Sequence, residues 1–167
     1  MKKVKDELKR LSVMPSKRKG QNFIIDDSVI ENIVNFGNPV STEQLVEIGP
    51  GLGALTRELN KVSNLSVVEI EPAFCEDLKN ELPGLNVICA DARTVDFRQI
   101  GENLTVFGNL PYAFSTEIIF HLIESAAHIQ RAVLMLQKEF VERLAASPGG
   151  KTYGALSVGC QLHVDII

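Results

Sequence analysis

Tryptophan is absent from the 167 residues, tyrosine occurs twice and cysteine three times. Cys75, Cys89 and Cys160 are far apart and form no C-x-x-C pair, so neither a disulfide framework nor a zinc signature is present. That usage suits a reducing cytosol, and a cytoplasmic location is expected. No apolar run approaches the ~18 residues needed to span a bilayer, and the N-terminus is charged where a secretory signal would be apolar. Membrane insertion and export are therefore not expected. Internal repeats and low-complexity stretches are also missing, which excludes a repeat array. What remains is a hydrophobic content of 45%, enough for the core of one compact domain.

The net charge of -4 conceals a division along the chain. The first 19 residues hold eight Lys or Arg against Asp6 and Glu7, a balance of +6, so residues 20 to 167 carry -10. A basic arm over 1 to 19 on an acidic domain over 20 to 167 suits contact with a phosphate backbone, because Lys and Arg release counterions from nucleic acid. A solvated terminal tail is the plainer alternative. Asp6 and Glu7 interrupt the stretch and argue against a transit segment.

Apolar runs of four to six residues alternate with segments of helical period, the pattern of a βαβ chain with a mostly parallel sheet. Ser28 and Glu31 have capping-box spacing before a helix over about 28 to 36. Strands are predicted at 45–48, 65–70, 85–89, 104–107 and 132–136. Leu52, Leu55, Leu59 and Val62 mark a helix after the first strand. Pro72 opens another carrying Phe74, Leu78 and Leu82, and Ile118, Ile119, Leu122 and Ile123 mark a third. Residues 138–146 read as a helix, 147–150 as a loop and 162–167 as a further strand. An apolar Val164-Asp165-Ile166-Ile167 ending suggests a longer parent sequence.

Glu47-Ile48-Gly49-Pro50-Gly51-Leu52-Gly53 lies between a strand and a helix, where glycines allow backbone to approach a bound nucleoside without a Cβ collision. With Ala54 the loop also satisfies G-x-G-x-x-G/A, so from the loop alone a nicotinamide enzyme competes, as does an ordinary structural turn. Glu69 ends the next strand, where a carboxylate can accept from both ribose hydroxyls. Asp91 ends the third and can accept from the exocyclic amine of adenine, although a lone Asp there is more often a turn residue.

Asn109-Leu110-Pro111-Tyr112 follows the fourth strand, on the same carboxyl edge. The N6 lone pair of adenine is delocalised into the ring and becomes nucleophilic when acceptors hold its hydrogens. Asn109 would supply its amide oxygen and Leu110 its carbonyl, while Pro111 stiffens the turn and Tyr112 offers a stacking face. Mere turn chemistry is the alternative.

These features together resemble the KsgA-type small-subunit ribosomal RNA adenine dimethyltransferases. The resemblance covers 20 to 167 and rests on Gly20-Gln21-Asn22-Phe23, Glu47 to Gly53, Glu69, Asp91, Asn109 to Tyr112, Met135-Leu136-Gln137-Lys138-Glu139 and Tyr153-Gly154-Ala155-Leu156-Ser157-Val158. It implies an α/β Rossmann-like class I methyltransferase domain that stops before the family's last strands and its C-terminal helical domain. It implies S-adenosylmethionine as cofactor, S-adenosylhomocysteine as product and no metal. Gln21, Asn22, Ile24, Glu47, Gly49, Gly51, Glu69, Asp91, Ala92 and Asn109 are then the expected cofactor contacts. The implied substrate is a pair of adjacent adenosines near the 3′ end of small-subunit rRNA in the 30S precursor particle, handled by a monomer with no membrane partner. Because the family's later parts are missing, stronger cofactor binding than turnover is expected. The alternatives are an Erm-type methyltransferase of large-subunit rRNA and a non-catalytic rRNA-binding assembly factor. His121 and His128 read as packing or surface histidines, and Cys89 as a small core residue.

Overall fold

The computed structural model describes residues 2–14 and 23–167. Its elements, in chain order, are α1 (Lys2–Arg10), α2 (Asp27–Gly37), β1 (Gln44–Ile48), α3 (Ala54–Leu59), β2 (Asn64–Glu69), α4 (Pro72–Glu81), β3 (Asn86–Cys89), β4 (Leu104–Asn109), α5 (Ser115–Glu124), β5 (Ile129–Met135), α6 (Lys138–Leu144) and α7 (Ala155–Gln161). Among the described residues no helix is long and apolar enough to cross a membrane.

The five strands form one sheet in the order β3-β2-β1-β4-β5, every neighbouring pair parallel. The three central strands read as near-continuous buried runs, as a parallel sheet covered on both faces requires. On one face Val46, Ile48, Val68, Leu104 and Val106 pack against Ile118, Ile119 and Leu122 of α5, with Leu144, Leu156 and Cys160 from α6 and α7. On the other, Leu45, Val67 and Phe107 meet Ile30 of α2, Leu55 and Leu59 of α3, and Leu78 of α4. The order reverses between β1 and β4. Successive connections therefore leave on opposite faces there, and a crevice opens beyond the carboxyl ends of those two strands.

Several local expectations are corrected. Asp26, not Ser28, caps α2: its carboxylate accepts from the Ser28 amide at 2.9 Å and the Ser28 hydroxyl at 2.7 Å. No strand covers 162–167; the preceding residues form α7, buried through Leu156, Ser157 and Cys160, and the final segment has no regular structure. Period-2 alternation at the C-terminus did not outweigh the absence of a neighbouring strand with which to pair. Cys89 is exposed, because β3 is an edge strand. Residues Lys2–Arg10 of the basic stretch are helical rather than a loose tail. Leu8 is buried, and Arg10 makes two 2.8 Å hydrogen bonds to the Asp77 carboxylate on α4. Lys17, Arg18 and Lys19 lie outside the described residues.

Phe107 sits fully buried in the central strand β4, and Gly37 comes so close to its ring that a Cβ there would collide with it. Replacing Phe107 with Ala removes the partner of Ile30, Leu45 and Leu55 and should cost about 3–5 kcal/mol by urea unfolding. A loss below about 1 kcal/mol would show that the α2 and α3 face does not depend on this ring.

Candidate cofactor and acceptor site

The crevice begins where β1 stops. The Gly49 amide donates to the Val68 carbonyl at 2.9 Å and extends the sheet by one bond. The chain then turns with φ of 69° at Gly49, 54° at Gly51 and 75° at Gly53, a left-handed path that residues with a Cβ rarely take. Space is restricted as well: a Cβ on Gly51 would lie 3.1 Å from the Phe23 ring, and one on Gly53 2.7 Å from Leu78. Phe23 is itself held edge-on against Phe74, with ring centroids 5.9 Å apart.

Glu69, at the end of β2, is buried and faces this loop. One carboxylate oxygen accepts the Gly51 amide at 3.0 Å and the other the Glu71 amide at 2.8 Å. Burial pushes its carboxyl above the ordinary value, and these backbone donors pull against that shift. The carboxylate is thus fixed against the glycine turn by main-chain atoms alone.

Asp91 follows β3 and is gripped by Arg93. The Arg93 amide and Nε donate to Oδ1 at 2.9 and 3.0 Å, and Nη2 donates to Oδ2 at 2.6 Å. The guanidinium holds Asp91 below the usual carboxylate range and itself lies 4.4 Å above the centre of the Phe114 ring. Phe114 stands directly before α5, its amide donating to the Pro111 carbonyl at 3.1 Å, while the Ser115 hydroxyl donates to the same carbonyl at 3.0 Å. Those two bonds close the turn from Pro111 into the start of α5.

The cleft has a volume of about 1040 Å³, and among the expected residues Ile24, Glu47, Gly49, Gly51, Glu69, Asp91, Ala92, Asn109 and Pro111 line it. Leu110 does not; its side chain is wholly buried and its amide donates to the Met135 carbonyl at 3.2 Å. Tyr112 is 48% exposed on the turn and does not line the cleft. Gln21 and Asn22 lie outside the described residues. Arg93, Phe114 and the α1 residues Val4, Glu7 and Arg10 also line it, and sequence reasoning missed them. An Asp-x-Arg spacing after a strand end was the available signal for Arg93; for α1, Val4 and Leu8 at helical spacing were the signal. His121 Nε2 is tied to the Val95 carbonyl at 2.8 Å, as a packing histidine would be.

Glu47 supplies a test of what the cleft can hold. Its carboxyl is buried, with the Thr56 hydroxyl beside it. Burial raises its carboxyl to about 8, Glu69 adds to the rise, and Thr56 and Arg57 oppose it. A glycine turn with Glu47, Glu69 and Asp91 along the same wall fits a ligand that carries hydrogen-bond donors along its length, as an adenosine with an amino-acid tail does. S-adenosylmethionine has that composition.

Because the fold raises Glu47 from its ordinary 4.5 to about 8, its contribution is full below about 4.5 and lost as pH rises through about 8. Urea melts should therefore show the ligand-free protein less stable at pH 8.5 than at pH 5.5 by a margin that Glu47→Gln removes. Equal pH slopes for the two proteins would mean that Glu47 is not proton-bound in the fold.

The family model for ribosomal RNA adenine dimethylase matches residues 15–167. The chain is 49% identical over 151 residues to ribosomal RNA small subunit methyltransferase A of Idiomarina loihiensis, covering 87% of this chain and 52% of that protein. Its counterpart in Herminiimonas arsenicoxydans is 47% identical over 163 residues, covering 92% and 64%. The chain thus spans between half and two-thirds of the length of these relatives. Among solved structures, a dimethyladenosine transferase from Plasmodium falciparum superimposes with a TM-score of 0.76 at 27% identity, covering 84% of this chain and 52% of that one. The 23S rRNA methyltransferase ErmE follows with a TM-score of 0.67, also at 27% identity, covering 77% and 53%. A parallel sheet that reverses at a glycine turn, read with the family match over residues 15–167, shows that the chain belongs to the ribosomal RNA adenine dimethylase family.

Proposed function

We propose that this protein transfers methyl groups from S-adenosylmethionine to N6 of two adjacent adenosines near the 3′ end of small-subunit rRNA, as a step in ribosome biogenesis. The observation that carries the reading is the meeting of two sets of residues in one cleft: the glycine turn, Glu69 and Asp91 on one side, and Asn109 and Pro111 on the other. The names of the relatives, all small-subunit methyltransferases at 45–49% identity, support this substrate over the large-subunit one.

The cofactor supplies an electrophilic methyl group on a sulfonium. Everything else falls to side chains and backbone of the protein. Glu69 accepts from ribose hydroxyls, Asp91 and the Ala92 backbone read the adenine edge, and Glu47 with the Gly49–Gly51 turn holds the amino-acid end. Gln21, Asn22 and Ile24 close that end. The amide oxygen of Asn109, which lines the cleft, accepts an N6 hydrogen of the target adenine and localises its lone pair; the second acceptor expected from sequence, the Leu110 carbonyl, belongs to a residue buried outside the cleft. Pro111 fixes the turn, and Tyr112, exposed on that turn, stacks on a base that has been turned out of its RNA stack. Positioning does most of this work: N6 takes the methyl as the carbon–sulfur bond breaks and S-adenosylhomocysteine leaves, and the N6 proton, acidic only once the methyl has arrived, is lost to water.

The basic arm, 1–19, serves as the contact for RNA phosphates and 20–167 as the methyltransferase domain, acting as a cytoplasmic monomer on the 30S precursor. A non-catalytic assembly factor would retain the arm without needing the Asn109 turn.

Asn109→Ala should lower kcat for methyl incorporation into 30S particles by roughly 100-fold, the cost typical of losing one fixed polar contact to the reacting group, and shift cofactor affinity less than threefold. Mass spectrometry of 16S-type and 23S-type rRNA after incubation with labelled cofactor reads the outcome. A matching collapse of cofactor affinity would make Asn109 structural, and label in 50S instead of 30S rRNA would establish the Erm-type reading.

A further inference from the structure

We infer that Arg93 is a positioning residue that aims the Asp91 carboxylate at a 6-amino purine and ties that recognition to the acceptor turn through Phe114. The inference rests on the reading of the cleft as an adenosine-cofactor site. The plain alternative is a surface ion pair between residues two apart, which would be worth little.

Three features separate Arg93 from such a pair. First, the contact is a fork: backbone amide, Nε and Nη2 of one residue all donate to one carboxylate, with Nε shared between the two oxygens at 3.0 and 3.1 Å. A planar guanidinium fixes the plane of the carboxylate as well as its charge, which an ammonium does not do. Second, both partners line the cleft, with side-chain exposure of 36% for Arg93 and 26% for Asp91. Third, the other side of the guanidinium rests on Phe114, whose position is set by the bond from its amide to the Pro111 carbonyl. Glu117 on α5 adds a further attraction to the same guanidinium.

The chemistry follows from lone-pair counting. An ionised carboxylate only accepts, at about four sites, and Arg93 makes four contacts to it, two on each oxygen, so a ligand N–H is admitted only by taking over one half of the shared Nε bond. A 6-amino purine offers an N–H to that site. A 6-oxo purine presents an oxygen there, and two acceptors repel. The preference for amino over oxo therefore measures how firmly Asp91 is aimed. Fixing Asp91 through a residue that also rests on Phe114 places the adenine site and the Asn109 turn on one contiguous support.

The test is titration calorimetry of the whole chain with S-adenosylhomocysteine and its 6-oxo analogue, S-inosylhomocysteine. The unmodified protein should bind the amino compound at least tenfold more tightly. Arg93→Met, which keeps an apolar stem and loses the fork, should reduce that ratio about fivefold or more. Arg93→Lys keeps the charge and guards against a folding defect in the Met variant; it should restore less than half of the lost ratio. A structural role alone would weaken both ligands equally and leave the ratio unmoved, which overturns the inference. So does a ratio that rises in Arg93→Met, since Arg93 would then be blocking Asp91. If the unmodified protein binds neither compound, the adenosine-cofactor reading itself fails, and the inference with it.

Discussion

The cleft depends on one small arrangement: the carboxylate of Glu69 held between the amides of Gly51 and Glu71. It ties the end of β2 to the turn after β1 across the point where the two connections diverge. Were Gly51 not in a left-handed conformation, its N–H would not point at Glu69 and the turn would lose its fixed distance from the second strand. The helix after the turn, α3, then starts in register with α4, and Leu55, Leu59 and Leu78 share one apolar layer. A polar contact in a water-poor place thus sets the geometry that the surrounding apolar packing preserves.

That arrangement also explains why the wall is so acidic. Glu47, Glu69 and Asp91 come from the ends of successive strands, β1 to β3, on one carboxyl edge. Three acids in line would repel one another in a structure with nothing to bind. Each is handled differently: Glu47 keeps its proton by burial, Glu69 takes backbone donors, and Asp91 takes Arg93. A ligand with hydrogen-bonding groups along its length can face all three. α1 completes the perimeter by docking Leu8 and Arg10 beside the same opening.

Much of this was legible in the sequence. The glycine turn, the two carboxylates and the Asn109 turn could be placed on one edge because strand ends announce themselves by the change from apolar runs to Gly, Pro and acidic residues. Strand bounds differed by only a few residues, as at β5, which begins at Ile129 rather than 132. What stayed hidden was tertiary. The contact of Arg93 with Phe114 needs the distance between a strand end and the start of α5, which no local pattern encodes. The exposure of Cys89 depends on β3 being an edge, and that follows from strand order rather than from composition. α1 was obscured because its lysines dominate the reading of a helix whose one buried anchor is Leu8. The final apolar residues alternate like a strand, yet no described strand lies beyond β5 to receive them.

The central claim is that the Glu69 carboxylate, fixed by the glycine turn, is the ribose-binding group of an adenosine cofactor site. A crystal structure of the chain with S-adenosylhomocysteine tests it most directly. The account predicts both ribose hydroxyls donating to Glu69 while the Gly51 amide remains bonded to the same carboxylate. A nucleoside bound elsewhere, with Glu69 still contacting main-chain amides alone, would contradict it.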